Sequence, residues 1–259
     1  MRPLFVGACA AIALTVFPCA ISHAQTAPAP SWTVVTTTQI KPDFRLEYEA
    51  GQKEITAAYK KAGVPYRLVV QTLLGDVGEY TSISPINKLA DMDDPTPVVK
   101  ALGEAGAQKL LKRLGAYMVS IHRATVLAQD DISIRTPTEN MAEYAQVSFM
   151  QLYPGKAAAF TSFMKEDYIP AMKKADLANL WISRPVFGGD LNERVMVRPL
   201  HKLAELDGGP LTTKALGADG ARQLLIKQSA IVQSTRYTVV RVRPDLSNLP
   251  APPKPKPAD

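Results

Sequence analysis

From Glu143 to Tyr153 the chain reads EYAQVSFMQLY, rich in β-branched and aromatic residues, and this pattern predicts a strand. Pro154 and Gly155 end it. Phe160, Phe163, Met164, Tyr168 and Met172 then recur at helical spacing and predict a helix. Pro170 falls inside that helix and is expected to kink it. NLWISRPVF (Asn179 to Phe187) and ERVMVRPL (Glu193 to Leu200) predict two further strands. Gly188, Gly189 and Asp190 between them form a turn, because glycine tolerates positive φ and aspartate bonds its own backbone. Ala221, Leu224, Leu225, Ile231 and Val232 make a second helical stripe, and RYTVVRVR (Arg236 to Arg243) predicts a fourth strand.

The same order occurs earlier. Strands are expected near Thr33–Ile40, Arg67–Leu74, Tyr80–Ile86 and Ile121–Ala128, with helices near Phe44–Lys61 and Glu104–Val119. The two halves also share letters. GDVGEYTSISPINKLADMD (Gly75 to Asp93) overlays GDLNERVMVRPLHKLAELD (Gly189 to Asp207), every residue number raised by 114 and no gap. KALGEAGAQKLL (Lys100 to Leu111) overlays KALGADGARQLL (Lys214 to Leu225) at the same offset. QIKP at Gln39 answers QLYP at Gln151, with a small length change between. Two copies point to a pseudo-two-fold pair rather than a solenoid.

Strand-helix-strand-strand-helix-strand is the ferredoxin-like unit, whose sheet carries helices on one face only. Two such units can press their bare faces together into an eight-stranded barrel, each half shielding the other. The expected class is therefore α+β: two tandem ferredoxin-like βαββαβ units in a pseudo-two-fold α+β barrel. In this order of elements the chain resembles the dimeric α+β barrel superfamily. The second copy resembles the NIPSNAP-type domain through Pro154-Gly155-Lys156, Pro170, GGDLNERVMVRPLHKLAEL and IVQSTRYTVVRVRPDLS. It departs from that pattern at Arg198-Pro199-Leu200, and the first copy departs at Gly78.

Composition frames the rest. MRPLFVGACAAIALTVFPCAISHA has a basic start, a short apolar run and small residues before the break, so a signal peptide over residues 1–24 is expected, with export to the periplasm or beyond. The apolar run is short for a membrane span. Both cysteines, Cys9 and Cys19, lie in it, so the mature chain would hold no disulfide and no thiolate site. A linker is expected at residues 25–31, the first repeat at 32–132, a second linker at 133–141, the second repeat at 142–246, and an unpacked Pro/Lys-rich tail at 247–259. The net charge of +6 is mild, and no basic run interleaves with aromatics, so a nucleic-acid partner is not expected. No further run approaches membrane length. A homo-oligomer is compatible with the architecture.

Known catalytic signatures are missing: no G-x-S-x-G, no H-E-x-x-H, no phosphate-binding loop. The repeated Gly-Asp-x-x-Glu (Gly75, Asp76, Glu79 and Gly189, Asp190, Glu193) places two acids near each hairpin, and turn chemistry accounts for it. ALGADG (Ala215 to Gly220) reads as a helix start, and Lys88-Leu89-Ala90 and Lys202-Leu203-Ala204 as crossings toward the next helix.

The asymmetric positions are the better candidates. Arg194, Met196 and Arg198 share one face of their strand, Tyr237, Val239 and Arg241 share a face of the last, and Arg184 lies on a third. Val195 and Val197 are expected to take the helix-packed face. At the 114 offset the first copy has Val70, Tyr80, Ser84 and Arg123 where the second has Arg184, Arg194, Arg198 and Tyr237. If these arginines point into the barrel they form a basic pocket for an anionic ligand; otherwise they reach solvent or pair with Glu143, Glu193 and Asp190.

The expected function is an exported small-molecule-binding or interaction protein with a pocket between the repeats and no cofactor. The alternative, implied by the resemblance, is an α+β-barrel enzyme of the cofactor-independent or heme-dependent oxygenase type. Heme enzymes of this architecture use one axial histidine, for which His122 and His201 are available.

Overall fold

The computed structural model describes residues 32–136 and 141–249. The expected signal peptide, the linker before Trp32 and the tail beyond residue 249 lie outside the described residues. Along the chain come β1 (Trp32–Ile40), α1 (Arg45–Lys61), β2 (Leu68–Leu74), β3 (Glu79–Ile86), α2 (Pro97–Gly115) and β4 (Met118–Ala128). Then follow β5 (Tyr144–Leu152), α3 (Ala157–Phe163), a π segment (Met164–Tyr168), α4 (Ile169–Lys174), β6 (Trp181–Phe187), β7 (Glu193–Leu200), α5 (Leu211–Ser229) and β8 (Val232–Val242). Ile231 and Val232, read from spacing as helical, lie beyond α5, and Val232 opens β8.

The eight strands close into a barrel in the order β1-β3-β2-β8-β5-β7-β6-β4, every neighbouring pair antiparallel. Each half contributes four strands in the same order, β4-β1-β3-β2 and β8-β5-β7-β6, and the halves join at β2–β8 and β4–β6. Among the described residues closure leaves no free strand edge.

Three apolar layers follow from strand alternation. The barrel interior is packed by Val70, Ala145 and Val240, with Leu68, Val147, Val197 and Val242. Outside it, α1 and α2 cover a core containing Tyr48, Tyr80 and Leu114, and α3, α4 and α5 cover one containing Phe160, Met164 and Ile182.

This reverses one expectation. Val197 faces the barrel interior, and Met196 packs on the helix side. By alternation Arg194 and Arg198 share the helix side with Met196. The interior takes compact side chains from both halves, and the guanidinium that shares its face is Arg236, which lies over the Phe149 ring at 4.2 Å from its centroid.

Both turns between copies hold as turns. Gly188 has φ +73°, and a Cβ there would stand 2.3 Å from the Arg123 carbonyl oxygen, so this hairpin admits no side chain where it crosses β4. Asp190 Oδ1 accepts the Asn192 amide at 2.7 Å. The Lys-Leu-Ala steps form short 3₁₀ turns, Leu89–Met92 and Leu203–Leu206. In them Asp91 accepts the amides of Asn87 and Lys88, and Glu205 those of His201 and Lys202. Gly103 and Gly217 break α2 and α5 at φ 70° in each case.

The segment after each last strand crosses to the other half. Arg67 and Asn248 exchange backbone hydrogen bonds at 2.8 Å each way; Ile134 and Leu180 do the same at 2.7 and 2.9 Å. Ser247 Oγ accepts the Val69 amide at 2.8 Å, and Ser133 Oγ accepts the Ile182 amide at 2.9 Å. Ser133 and Ile134, expected in a linker, and Ser247 and Asn248, expected in the tail, are therefore parts of the packed body. Near the same seam Arg243 donates to both oxygens of Glu49 on α1, at 2.7 and 2.8 Å, to Gln71 at 2.9 Å, and to Asp245 at 2.9 and 3.0 Å. Tyr80 donates its hydroxyl to Glu49 as well.

Candidate functional site

The two halves treat the space between sheet and helices differently. In the first half it is filled. Leu114 on α2 is fully buried, and an added Cβ on Gly51 of α1 would stand only 2.4 Å from it. Tyr48 and Tyr80 lie with ring centroids 5.1 Å apart. Behind them Arg67 donates to Thr56, to Gln52 and to the Leu246 carbonyl, so the polar atoms of this core are paired.

In the second half the same space is a cavity of about 820 Å³. The helix that should close it, α5, buries one side chain, Leu224, where α2 buries five. Gln228, the counterpart of Leu114, lines the cavity. Its walls are mainly apolar: Met150, Phe160, Phe163, Met164, Met172, Leu180, Met196 and Leu224. Gln146, Ser148, Tyr168, Arg198 and Tyr237 give it a polar side, and Thr212, Thr213, Arg222 and Gln228 of α5 add polar groups at its edge. A volume of this size with few polar groups is typical of a small-molecule pocket.

Three of those polar groups act on one another. Burial pushes the Tyr168 phenol up to about 12, with Tyr237 and Arg198 within electrostatic reach. Tyr168 is therefore a neutral phenol near pH 7, able to donate a hydrogen bond. Burial lowers the Arg198 guanidinium. Its Nε is buried without a hydrogen-bond partner, and one terminal nitrogen donates a long bond of 3.4 Å to the Glu205 carbonyl. Arg198 also lines a neighbouring cleft of about 650 Å³ that contains Trp181, His201, Glu205 and Lys214.

Of the five candidate residues, Arg198 and Tyr237 thus meet at the cavity. Arg194 and Arg184 form a separate pair. Arg194 is 4% exposed and donates to the carbonyls of Leu191 and Glu193 at 2.9 and 2.7 Å, with its Nε unpartnered. Burial lowers its guanidinium and Arg184 lowers it further. Arg241 stands apart, bonded to the Tyr144 hydroxyl at 3.1 Å and over that ring. The five do not form one basic pocket inside the barrel, because alternation turns these strand faces toward the helices.

Register also corrects one correspondence. Gln71 pairs with Tyr80, and the register Ile182–Met196, Ser183–Val195 carries Arg184 opposite Arg194. Gln71, rather than Val70, is the structural counterpart of Arg184.

Tyr168 and Gln228 were not singled out from sequence. The signals available were the change in offset along the first helix of each copy and an apolar-to-polar difference at one repeat position.

Among the described residues no carboxylate and no histidine line the larger cavity. His201 lies on the neighbouring cleft, and His122 sits on β4, bonded to the Gly188 carbonyl. The residues of the cavity do not fit a histidine-ligated heme. The acids of the repeated hairpin gather at one barrel mouth, where burial raises Glu79 and Glu193 and Arg236 opposes that shift in both. Among the described residues no group of three or more His, Cys, Asp or Glu is arranged to hold a metal, and no helix is long and apolar enough to cross a membrane.

No family model matches the chain, and no curated protein matches it in sequence. Solved structures do match in shape. A candidate monooxygenase from Lactobacillus acidophilus NCFM superposes with a TM-score of 0.55 at 10% identity, over 85% of this chain and 96% of that one. An anthrone oxidase-like protein gives 0.51 at 11%, over 82% and 91%. A candidate chlorite dismutase gives 0.51 at 11%, over 84% and 96%. The chain shares the α+β barrel fold of these structures. At these identities the likeness speaks for the fold alone.

Proposed function

We propose that the second half takes up a small, largely apolar molecule bearing an oxygen acceptor, and that the chain is an oxygenase-like enzyme of the α+β barrel type. The cavity beside Arg198 carries this reading. Its walls are apolar, and a buried guanidinium Nε there has no partner. A carboxylate, carbonyl or phenolate oxygen would supply what Arg198 lacks. The names of the proteins with the same fold favour oxidative chemistry. The donor set favours a cofactor-independent form over heme. In the same reading each half is a ferredoxin-like unit, the second NIPSNAP-like in its motif residues.

The lack of a carboxylate or histidine at the cavity favours a second reading, a plain carrier without turnover. Oxygen uptake by the purified protein across a panel of phenols and hydroquinones separates the two. Uptake above the unproteinated rate supports the enzyme, and none across the panel supports the carrier. For the pocket itself the probe is 8-anilinonaphthalene-1-sulfonate, an apolar body with an anionic oxygen group. Arg198→Met should weaken its binding by about tenfold. Equal affinity in the variant overturns the assignment of Arg198.

Export after cleavage at Ala24 and self-association belong to the same proposal. N-terminal sequencing of the host protein and its native mass test them.

A further inference from the structure

The first helix of each copy can be aligned at both ends. Gln39, Pro42 and Tyr48 correspond to Gln151, Pro154 and Phe160 at an offset of 112. Tyr48 and Phe160 both lie in the core under their helices. At the other end Ala58, Lys60, Lys61 and Ala62 correspond to Ala171, Lys173, Lys174 and Ala175 at an offset of 113. Structure fixes this end too, since Ala62 and Ala175 are both C-caps. The next residues, Gly63 and Asp176, both adopt positive φ, 73° and 58°. One residue has therefore been added between Gln52/Met164 and Ala58/Ala171. The first copy has Lys53-Glu54-Ile55-Thr56-Ala57 there, and the second has Lys165-Glu166-Asp167-Tyr168-Ile169-Pro170.

The added residue is absorbed within the helix. α1 runs unbroken, whereas the second copy passes from α3 into the π segment Met164–Tyr168 before α4. A π turn holds one residue more than an α turn, and such bulges concentrate at functional sites. Pro170, which has no N–H to give to the carbonyl four residues back, follows directly. The wider turn lets adjacent residues both face the sheet: Ile169 is buried in the core, and Tyr168 packs beside it against Phe163 at 6.1 Å between ring centroids. In the first half the corresponding turn carries Thr56, bonded to Arg67 and to the Leu246 carbonyl inside a closed network.

We propose that this one-residue insertion makes the second half a ligand site, by placing the Tyr168 hydroxyl as a second hydrogen-bond donor beside Arg198. Tyr168 and Arg198 together select a ligand with an exposed oxygen acceptor at the end of an apolar body, and they discriminate against an apolar molecule of the same shape without one. The inference rests on the reading of the cavity as a binding pocket.

The test compares two probes on the full-length mature chain: 8-anilinonaphthalene-1-sulfonate, and N-phenyl-1-naphthylamine, which has the same ring system and no acidic oxygen. Tyr168→Phe keeps the ring and the packing. It should weaken sulfonate binding by about tenfold and leave the neutral probe within about twofold. Deleting Glu166, an exposed residue of the π segment, should restore a continuous α-helix, turn Tyr168 away, and produce the same split between probes. If Y168F binds both probes as the wild type does, the donor role of Tyr168 is refuted. A deletion variant with a cooperative melt and wild-type selectivity refutes the role of the insertion. If the wild type binds neither probe, the pocket reading fails and this inference with it. Wild-type binding that R198M weakens and Y168F does not overturns this inference alone.

Discussion

Replacing Arg243 by methionine should destabilise the whole barrel rather than one half. Arg243 ends the second repeat, and its partner Glu49 lies on α1 of the first. The pair is well covered, with side-chain exposures of 16% and 13%. Methionine keeps most of the aliphatic stem and removes five charge-assisted hydrogen bonds, four of them to carboxylates, leaving the Glu49 carboxylate to Tyr80 and to a long contact with Arg45 at 3.8 Å. Breaking a buried pair on one side costs about 3 kcal/mol at the low end. In a chain of this size that lowers the melting temperature by roughly 6–12 °C. Arg243 holds Glu49 and Asp245 below their ordinary carboxylate values. A depressed pKa stabilises the fold above the unfolded value, about 4, and the gain is lost as pH falls through the folded value. The wild type should therefore lose stability on acidification more steeply than the variant. Glu79 and Glu193, raised by burial, act in the opposite sense in both proteins and cancel in the comparison. Urea denaturation from neutral to acidic pH, with R243M, E49Q and the double variant in one cycle, measures both effects. A loss under about 1 kcal/mol, the value of an ordinary surface pair, with parallel acid limbs refutes the reasoning.

Two further outcomes are expected from the packing. Gly188→Ala should cost about 2 kcal/mol, since it combines positive φ with a carbonyl in the path, while Gly155→Ala, at φ 75° with nothing within 4 Å, should cost about half that; chemical denaturation of both variants checks the difference. Leu114→Ala should cost about 3 kcal/mol by opening a cavity under α1, whereas Gln228→Ala at the equivalent place should stay within about 0.5 kcal/mol, and matched thermal melts would show whether the two halves are filled as differently as they look.

Much of the fold was legible because the chain states it twice. The duplicated Gly-Asp hairpins and Lys-Leu-Ala steps mark the same junctions in both halves, and hydrophobic period separated strand from helix nearly everywhere. The orientation of β7 was not legible. Alternation groups Arg194 with Arg198, but it does not say which group meets the barrel, and two valines pack as well inside as under a helix. The packing decides, since Val197 joins Val70, Val147 and Val240 inside the barrel while Met196 packs with the core under the helices. Arg184 was matched to Val70 because the 114 offset was carried upstream of Gly75, where the halves differ in length. Tyr168 was visible as a member of an apolar stripe. Its second role depends on one residue of helix length, which hydrophobic spacing tolerates without any change in pattern.

The crossing of Ile134 and Asn248 has a consequence for dissection. Each half completes the other's sheet by lending the strip of chain that leaves its own last strand. A fragment cut at residue 132 or 246, where the strands end on paper, would keep all its helices and lose the fastening that belongs to its neighbour. Expressed alone, such a fragment should seek a second copy of itself, whereas two fragments cut between residues 137 and 140 carry both fastenings and should find each other.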